Sequence, residues 1–141
     1  MLKEALRLFP PVPSDAKYCA QDDELPGGVP VAAGTLIVFL PFGMGRSEAI
    51  WGPDALEVRP ERHLEGSGAS KKTFFENPVF QAGPRICLGM NMAMFEASVA
   101  LVMVLQQFKL RLAAPEQPPT YNALALTMGI EGGLSVIAEP I

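Results

Sequence analysis

The sequence predicts an α+β fold, two helices combined with several short mixed strands, and three observations carry that prediction. An apolar stripe at helical spacing, Leu2, Ala5, Leu6 and Phe9, opens the chain and is cut off by Pro10, Pro11 and Pro13. An apolar run over residues 90–105, broken only by Asn91, Glu96 and Ser98, is too long for a strand. The remaining apolar stretches are short and punctuated by 14 prolines and 13 glycines.

In chain order, residues 1–9 read as the last turns of a helix, with Glu4 and Arg7 three apart on one face. As an isolated pair these two would be a solvated ion pair worth well under ~1 kcal/mol. Residues 16–20 read as a short strand, and Asp22-Asp23-Glu24 as a solvated turn. Pro26-Gly27-Gly28 reads as a second turn, followed by strands over 29–32 and 35–40. Pro41-Phe42-Gly43 ends that sheet, and residues 46–51 form a short helix stopped by Gly52-Pro53. A proline-rich connection holds Arg59, Pro60, Glu61, Arg62 and His63. The glycines of Gly66-Ser67-Gly68 lack the strand before and the Gly-Lys-Ser/Thr after that a phosphate loop needs. The long helix then runs from Met90 to about Phe108. A strand over 109–112, a linker over 115–119 and a terminal hairpin pairing 122–127 with 134–139 complete the chain.

Composition narrows the function. With 141 residues, 49% hydrophobic and 18% charged, the chain is one globular unit. Its net charge of −4 argues against a nucleic-acid binder that needs a basic stripe. Cys19 and Cys87 stand far apart beside a single histidine, which argues against a Cys/His zinc site. Lys3, Glu4 and Arg7 give the N-terminus an amphipathic pattern unlike a secretory signal. The 90–105 run falls short of the ~20 apolar residues of a membrane span.

The stretch from Phe80 to Gly89 is where the chemistry concentrates. Cys87 lies between two glycines, two residues after Arg85 and just before the long helix. Helix N-terminal amides and the dipole's positive end favour a thiolate over a thiol. Gly83 permits a tight loop, Pro84 stiffens it, and Gly89 lets a flat group approach. Arg85 is suited to an anionic partner. Taken by itself, a lone cysteine near a helix start is usually a small buried hydrophobe.

The pattern is more specific than that. Phe80, Gly83, Arg85, Cys87 and Gly89 fall in register with Phe-x-x-Gly-x-Arg-x-Cys-x-Gly, so the stretch resembles the cysteine-ligand loop of the cytochrome P-450 superfamily. Two further marks follow the family's order. Glu4-Ala5-Leu6-Arg7 resembles the Glu-x-x-Arg of its K helix, and Pro60-Glu61-Arg62 resembles the segment whose arginine joins that pair. The resemblance implies the C-terminal part of the P-450 fold: K-helix end, small β-sheet, meander, ligand loop, L helix and terminal hairpin.

It also implies roles. Cys87 would be the catalytic axial thiolate on the iron of haem b, pushing electron density toward O–O cleavage. Phe80 would pack beside the sulfur, Gly83 and Gly89 would shape the cradle, and Arg85 would pair with a propionate. Glu4, Arg7 and Arg62 would form a buried structural triad. The reaction would be a monooxygenation using O2 and NADPH, with electrons from a flavoprotein reductase or an iron–sulfur protein. Lys71 and Lys72 read as solvated loop charges, with an acidic redox partner as the sharper alternative. Val12, Pro13, Ser14, Leu126 and Met128 would contact a lipophilic substrate. The wording of the ligand loop, with Met44-Gly45-Arg46 and Ile50-Trp51-Gly52, looks most like eukaryotic fatty-acid ω-hydroxylases.

Two departures accompany the match. His63 stands where the family usually has Phe or Trp, and it reads as a partly exposed ring filling an aromatic slot. The match covers residues 1–141 as a single partial domain, without the distal helix, most of the substrate pocket or a membrane anchor. The expectation is that this polypeptide alone does not hydroxylate. A haem-binding fragment without turnover and a non-functional truncated gene product stay open as alternatives. A full-length eukaryotic relative would sit at the endoplasmic reticulum membrane.

Overall fold

The computed structural model describes residues 1–64, 66–67, 72–117, 119–122 and 126–141. Helix α1 (Leu2–Leu8) ends where the Phe9 N–H reaches Ala5 O at 2.7 Å and the prolines begin. Its packing corrects the sequence pattern. Glu4, Arg7 and Leu8 are the buried residues, whereas Ala5 and Phe9 are exposed and Leu2 and Leu6 half-buried. The helix turns its charged side inward because residues 45–63 meet that side with carbonyls, an amide and opposite charges.

Strand β1 (Asp15–Tyr18) pairs antiparallel with β4 (Leu36–Phe39), placing Asp15 opposite Phe39. Strands β2 (Asp23–Leu25) and β3 (Val29–Val31) form a hairpin between them. Asp23 and Glu24 therefore lie on a strand and not in a turn. The strand is exposed throughout, so its charges stay in water. The reversal is made by Gly27 and Gly28, both at positive φ (95° and 80°), which glycine adopts without strain. Past β4 the sequence suggests only a stop, but Pro41 starts helix α2 (Pro41–Met44), its fixed φ suiting a first helical position. Helix α3 (Glu48–Trp51) ends at Gly52.

The close approach of α1 to α2 depends on Gly45. A Cβ there would stand 2.0 Å from the backbone oxygen of Arg7. Gly45→Ala is therefore expected to destabilise the fold by about 2–3 kcal/mol, because backbone and not a flexible side chain must move. A urea unfolding midpoint unchanged by the substitution would refute this packing.

Beyond single 3₁₀ turns at Pro60–His63, Pro78–Phe80 and Gly83–Arg85, helix α4 (Met90–Leu105) runs for 16 residues. It buries no residue despite its apolar sequence, and Phe95 is 70% exposed. Among the described residues no helix is long and apolar enough to cross a membrane. Strand β5 (Phe108–Leu112) follows, then β6 (Tyr121–Asn122), β7 (Gly129–Ile130) and β8 (Val136–Pro140).

The expected terminal hairpin needs correction. Its second arm, β8, pairs antiparallel with β5, from Phe108 opposite Pro140 to Leu112 opposite Val136. The start of its first arm, β6, pairs with β7. Residues 123–125 of that arm lie outside the described residues. Five matched pairs on β5 outweigh a local return, and Gly132 and Gly133 at positive φ steer the chain there. Among the described residues the buried hydrophobics are Leu8, Val31, Trp51 and Ala55, and the largest fully buried side chains are Arg7 and Glu4. The centre of this chain is ionic.

Candidate functional site

Two features stand close to each other: the ionic cluster on α1 and the loop that carries Cys87. In the cluster, the Glu4 carboxylate accepts five hydrogen bonds. Arg7 donates through Nε and Nη2 at 2.9 and 2.8 Å, Arg62 Nε at 3.0 Å, the Arg59 amide at 2.9 Å and His63 Nε2 at 2.8 Å. Arg7 spends its remaining donors on backbone oxygens, Ala55 O at 2.6 Å, Glu57 O at 3.0 Å and Gly45 O. Its guanidinium lies 5.0 Å from the centre of the Trp51 ring. Arg62 extends the network to Asp54, through Oδ1 at 3.3 Å and the backbone oxygen at 3.0 Å.

The structure thus brings Glu4, Arg7 and Arg62 together, with Glu4 and Arg7 fully buried. Burial by itself would raise the Glu4 carboxyl, but the bonds from Arg7, Arg59, His63 and Arg62 overcome it and bring the pKa down to about 2. His63 is more than a filler of an aromatic slot. Its ring is tilted against Trp51 with centroids 6.2 Å apart, and its Nε2 reaches Glu4. Burial, assisted by Arg7 and Lys3, holds the imidazole below its ordinary pKa against the pull of Glu4. At neutral pH it meets Glu4 as an uncharged Nε2–H donor. The bonds of the Arg59 amide and of His63 to Glu4 had no local signal in the sequence, because they span 55 and 59 positions.

The loop is built from turns. A 3₁₀ turn over Pro78–Phe80 passes into Gln81, a non-glycine residue at φ 66°. A second turn over Gly83–Arg85 follows, with Gly83 at φ 62°. The Cys87 N–H donates to Phe80 O at 2.7 Å and closes the reversal, and the Met90 N–H donates to Cys87 O at 3.3 Å where α4 begins. Cys87 is exposed and Phe80 half-buried. Arg85 is exposed and has no ion-pair partner among the described residues. Below the loop, a cavity of about 640 Å³ separates α1 from the start of α4, lined among others by Leu6, Trp51, His63, Phe80, Met90 and Met94.

These residues fit a flat, anionic, metal-bearing cofactor set against the sulfur. Gly89 has φ −85°, open to any residue, and a Cβ there would only touch Cys87 Sγ at 4.0 Å. Nothing within the chain demands a glycine, whereas a planar group lying on this surface would. Among the described residues the amides of Leu88 and Gly89 donate to no acceptor, leaving N–H groups free beside an exposed sulfur.

Residues 1–134 match the family model described as Cytochrome P-450. The chain belongs to the cytochrome P-450 family. It is similar to cytochrome P-450 94C1 of Arabidopsis thaliana, 41% identical over 140 residues, covering 98% of this chain and 28% of that protein. It is also similar to cytochrome P-450 704C1 of Pinus taeda, 38% identical over 99% of this chain and 27% of the relative. Cytochrome P-450 94A2 of Vicia sativa is 40% identical, with 98% and 28% covered. The chain spans less than a third of the length of these P-450 relatives.

The other expected residues fall as follows. The segment with Val12, Pro13 and Ser14 and the stretch with Leu126 and Met128 come together, since the Met128 N–H donates to Pro11 O at 2.6 Å. Val12, Pro13 and Met128 are half-buried, and Leu126 is exposed. Lys72 is not a free loop charge. It is half-buried and its Nζ meets Glu76 Oε1 at 2.9 Å. The Glu76 carboxyl is lowered to about 2 by the Thr73 amide, then Lys72 and the Thr73 hydroxyl. Lys71 lies outside the described residues.

Proposed function

We propose that this chain forms the haem-ligand portion of a P-450 monooxygenase, with Cys87 as the axial thiolate. One observation carries the reading: an exposed Cys87 sits on a loop closed by its own amide, beside free N–H groups and a glycine the chain itself does not require. Bound haem would supply the oxygen chemistry, using electrons from NADPH by way of a flavoprotein reductase. The chain's own residues do the holding. Cys87 would offer the sulfur, and the free amides of Leu88 and Gly89 would be the donors available to moderate its basicity once the group is bound. Arg85 neutralises a carboxylate on the cofactor's edge. Phe80 keeps water from the proximal side of the sulfur. Glu4, Arg7 and Arg62 lock the 45–63 meander onto α1 beneath the loop.

The substrate in this reading is lipophilic, with a fatty acid as the chosen class. Val12, Pro13, Leu126 and Met128 support it by their apolar character, and the wording of the ligand loop supports the fatty acid. Hydroxylation is the expected reaction type.

The test is spectroscopic. The protein is loaded with haem, reduced and exposed to carbon monoxide, and the Soret band is recorded. A strongly red-shifted, thiolate-type band that vanishes in Cys87→Ser is the expected result. A band identical in both proteins would remove Cys87 from the iron and the proposal with it.

A further inference from the structure

The ten residues that carry Cys87 are tied to the rest of the molecule by remarkably little hydrogen bonding of their own. The Gln81 amide reaches Pro78, the Ile86 amide reaches Gly83, and the Cys87 amide reaches Phe80, all within the loop or its own entry turn. Met90 and Ala93 bond back to Cys87 and Gly89 where α4 begins. Among the described residues, one hydrogen bond joins residues 80–89 to a distant element. It runs from Gln81 Nε2 to Asp15 Oδ2 on β1, 66 positions away.

Among the described residues, Gln81 is also the one non-glycine residue at positive φ. Its φ of 66° with ψ of −175° falls in a region that belongs almost wholly to glycine. Such a conformation persists in an L-residue only where surrounding contacts over-determine it. A glycine would take this conformation without the steric strain, and the contact the Gln81 side chain makes in return is its bond to Asp15. Asp15 is prepared to receive it. The carboxylate is also held by its neighbour's amide at Ala16, 2.6 Å away, and by Lys17 Nζ at 3.1 Å. These bonds fix the acceptor's orientation, and they hold the Asp15 carboxyl below its ordinary range against a burial that alone would raise it. Asp15 follows directly on Val12, Pro13 and Ser14, and β1 is clamped to β4.

We propose that Gln81 is a positioning residue: its bond to Asp15 sets the placement of the loop and hence of the Cys87 sulfur against the β1–β4 sheet. This rests on Cys87 being the haem ligand, and it adds a mechanical link from the sulfur to the Val12–Ser14 segment. No new contact between Gln81 and the cofactor is involved. The side chain acts through the backbone between Phe80 and Cys87.

The variants are Gln81→Leu, which keeps the bulk and loses the donor, and Gln81→Lys, which keeps a donor for Asp15. Asp15→Ala removes the acceptor in case Gln81→Leu fails to fold. Two readouts are taken on each: the thiolate-type fraction of the reduced carbon-monoxide band, and the hydrogen-exchange rate of the Cys87 amide without haem. Losing a charge-assisted bond should raise Cys87 amide exchange about tenfold in Gln81→Leu and Asp15→Ala. In both, part of the thiolate-type band should be lost, with recovery in Gln81→Lys. The exchange of the Arg59 amide, bonded to Glu4, should stay unchanged and so separates loop release from general destabilisation. Unaltered Cys87 exchange and an unaltered band in Gln81→Leu would overturn the proposal. A wild-type protein without a thiolate-type band would instead refute the haem-ligand reading, and Cys87 exchange would still decide the mechanical link.

Discussion

Arg7→Leu is expected to lower the unfolding free energy by about 3–5 kcal/mol, the loss typical of a buried ion pair broken from one side. The substitution strips Glu4 of its two-pronged partner and leaves the oxygens of Gly45, Ala55 and Glu57 without their donor. A leucine fills the volume but satisfies none of them, and an unmet buried acceptor costs more than the bond itself returns. The measurement is denaturant unfolding followed by the fluorescence of Trp51, the single tryptophan, whose ring the Arg7 guanidinium covers. The control is Arg111→Leu. Arg111 pairs with Glu139 at 2.7 Å, but both side chains are more than half exposed, so the loss there should stay well below ~1 kcal/mol. Equal losses at the two arginines would show that the Glu4–Arg7 cluster is no more than a surface pair.

Acid should unfold the protein in two stages. Glu4 has a pKa of about 2 in the folded chain against an ordinary 4.5. A carboxyl lowered by folding stabilises fully above 4.5, and that contribution drains away as pH falls from 4.5 toward 2. The interval corresponds to roughly 3 kcal/mol. His63 acts earlier and in the same direction. Its folded pKa lies below the ordinary 6.5, so between the two values the unfolded chain takes up a proton that the folded chain refuses. Stability therefore starts to fall as pH drops below 6.5, above the pH at which the loss at Glu4 begins. The groups facing the ring are Glu4, Arg7 and Lys3, and the balance among them keeps it neutral. Urea midpoints measured stepwise from pH 7 to pH 2 test both stages. His63→Phe should abolish the first decline, and Glu4→Gln should shrink the second to the share left by Glu76, Asp15 and Asp54, whose carboxyls are also lowered. A midpoint that stays level down to pH 3 would contradict the assignment of Glu4.

Much of the local structure was legible in the residues. Prolines and glycines marked the ends of α1, α3 and β3 because they act on the backbone, whatever surrounds them. The Cys87 loop was legible for the same reason, since Gly83 must take a positive φ. The pairing of strands was not. Residues 134–139 looked like the return arm of a hairpin, yet β8 found β5 more than twenty positions back, and register across such a separation leaves no local trace. Asp23 and Glu24 looked like a turn because charge reads as solvent, and an exposed strand is solvent on both sides.

The site divides along the same line. Cys87, Arg85 and Gly89 form a contiguous pattern, so the sequence by itself was enough to single them out and to point to the family that residues 1–134 match, together with helices α1 and α4. The tertiary structure decided which side of α1 is buried. An apolar stripe is normally the inner face, but five donors converging on Glu4 from Arg7, Arg59, Arg62 and His63 made the charged face the inner one. It also decided the place of Gln81, whose role exists only because Asp15 lies across the fold from it. Hydrogen bonds between residues distant in sequence have no periodicity to announce them, and a chain discloses them only once it has folded.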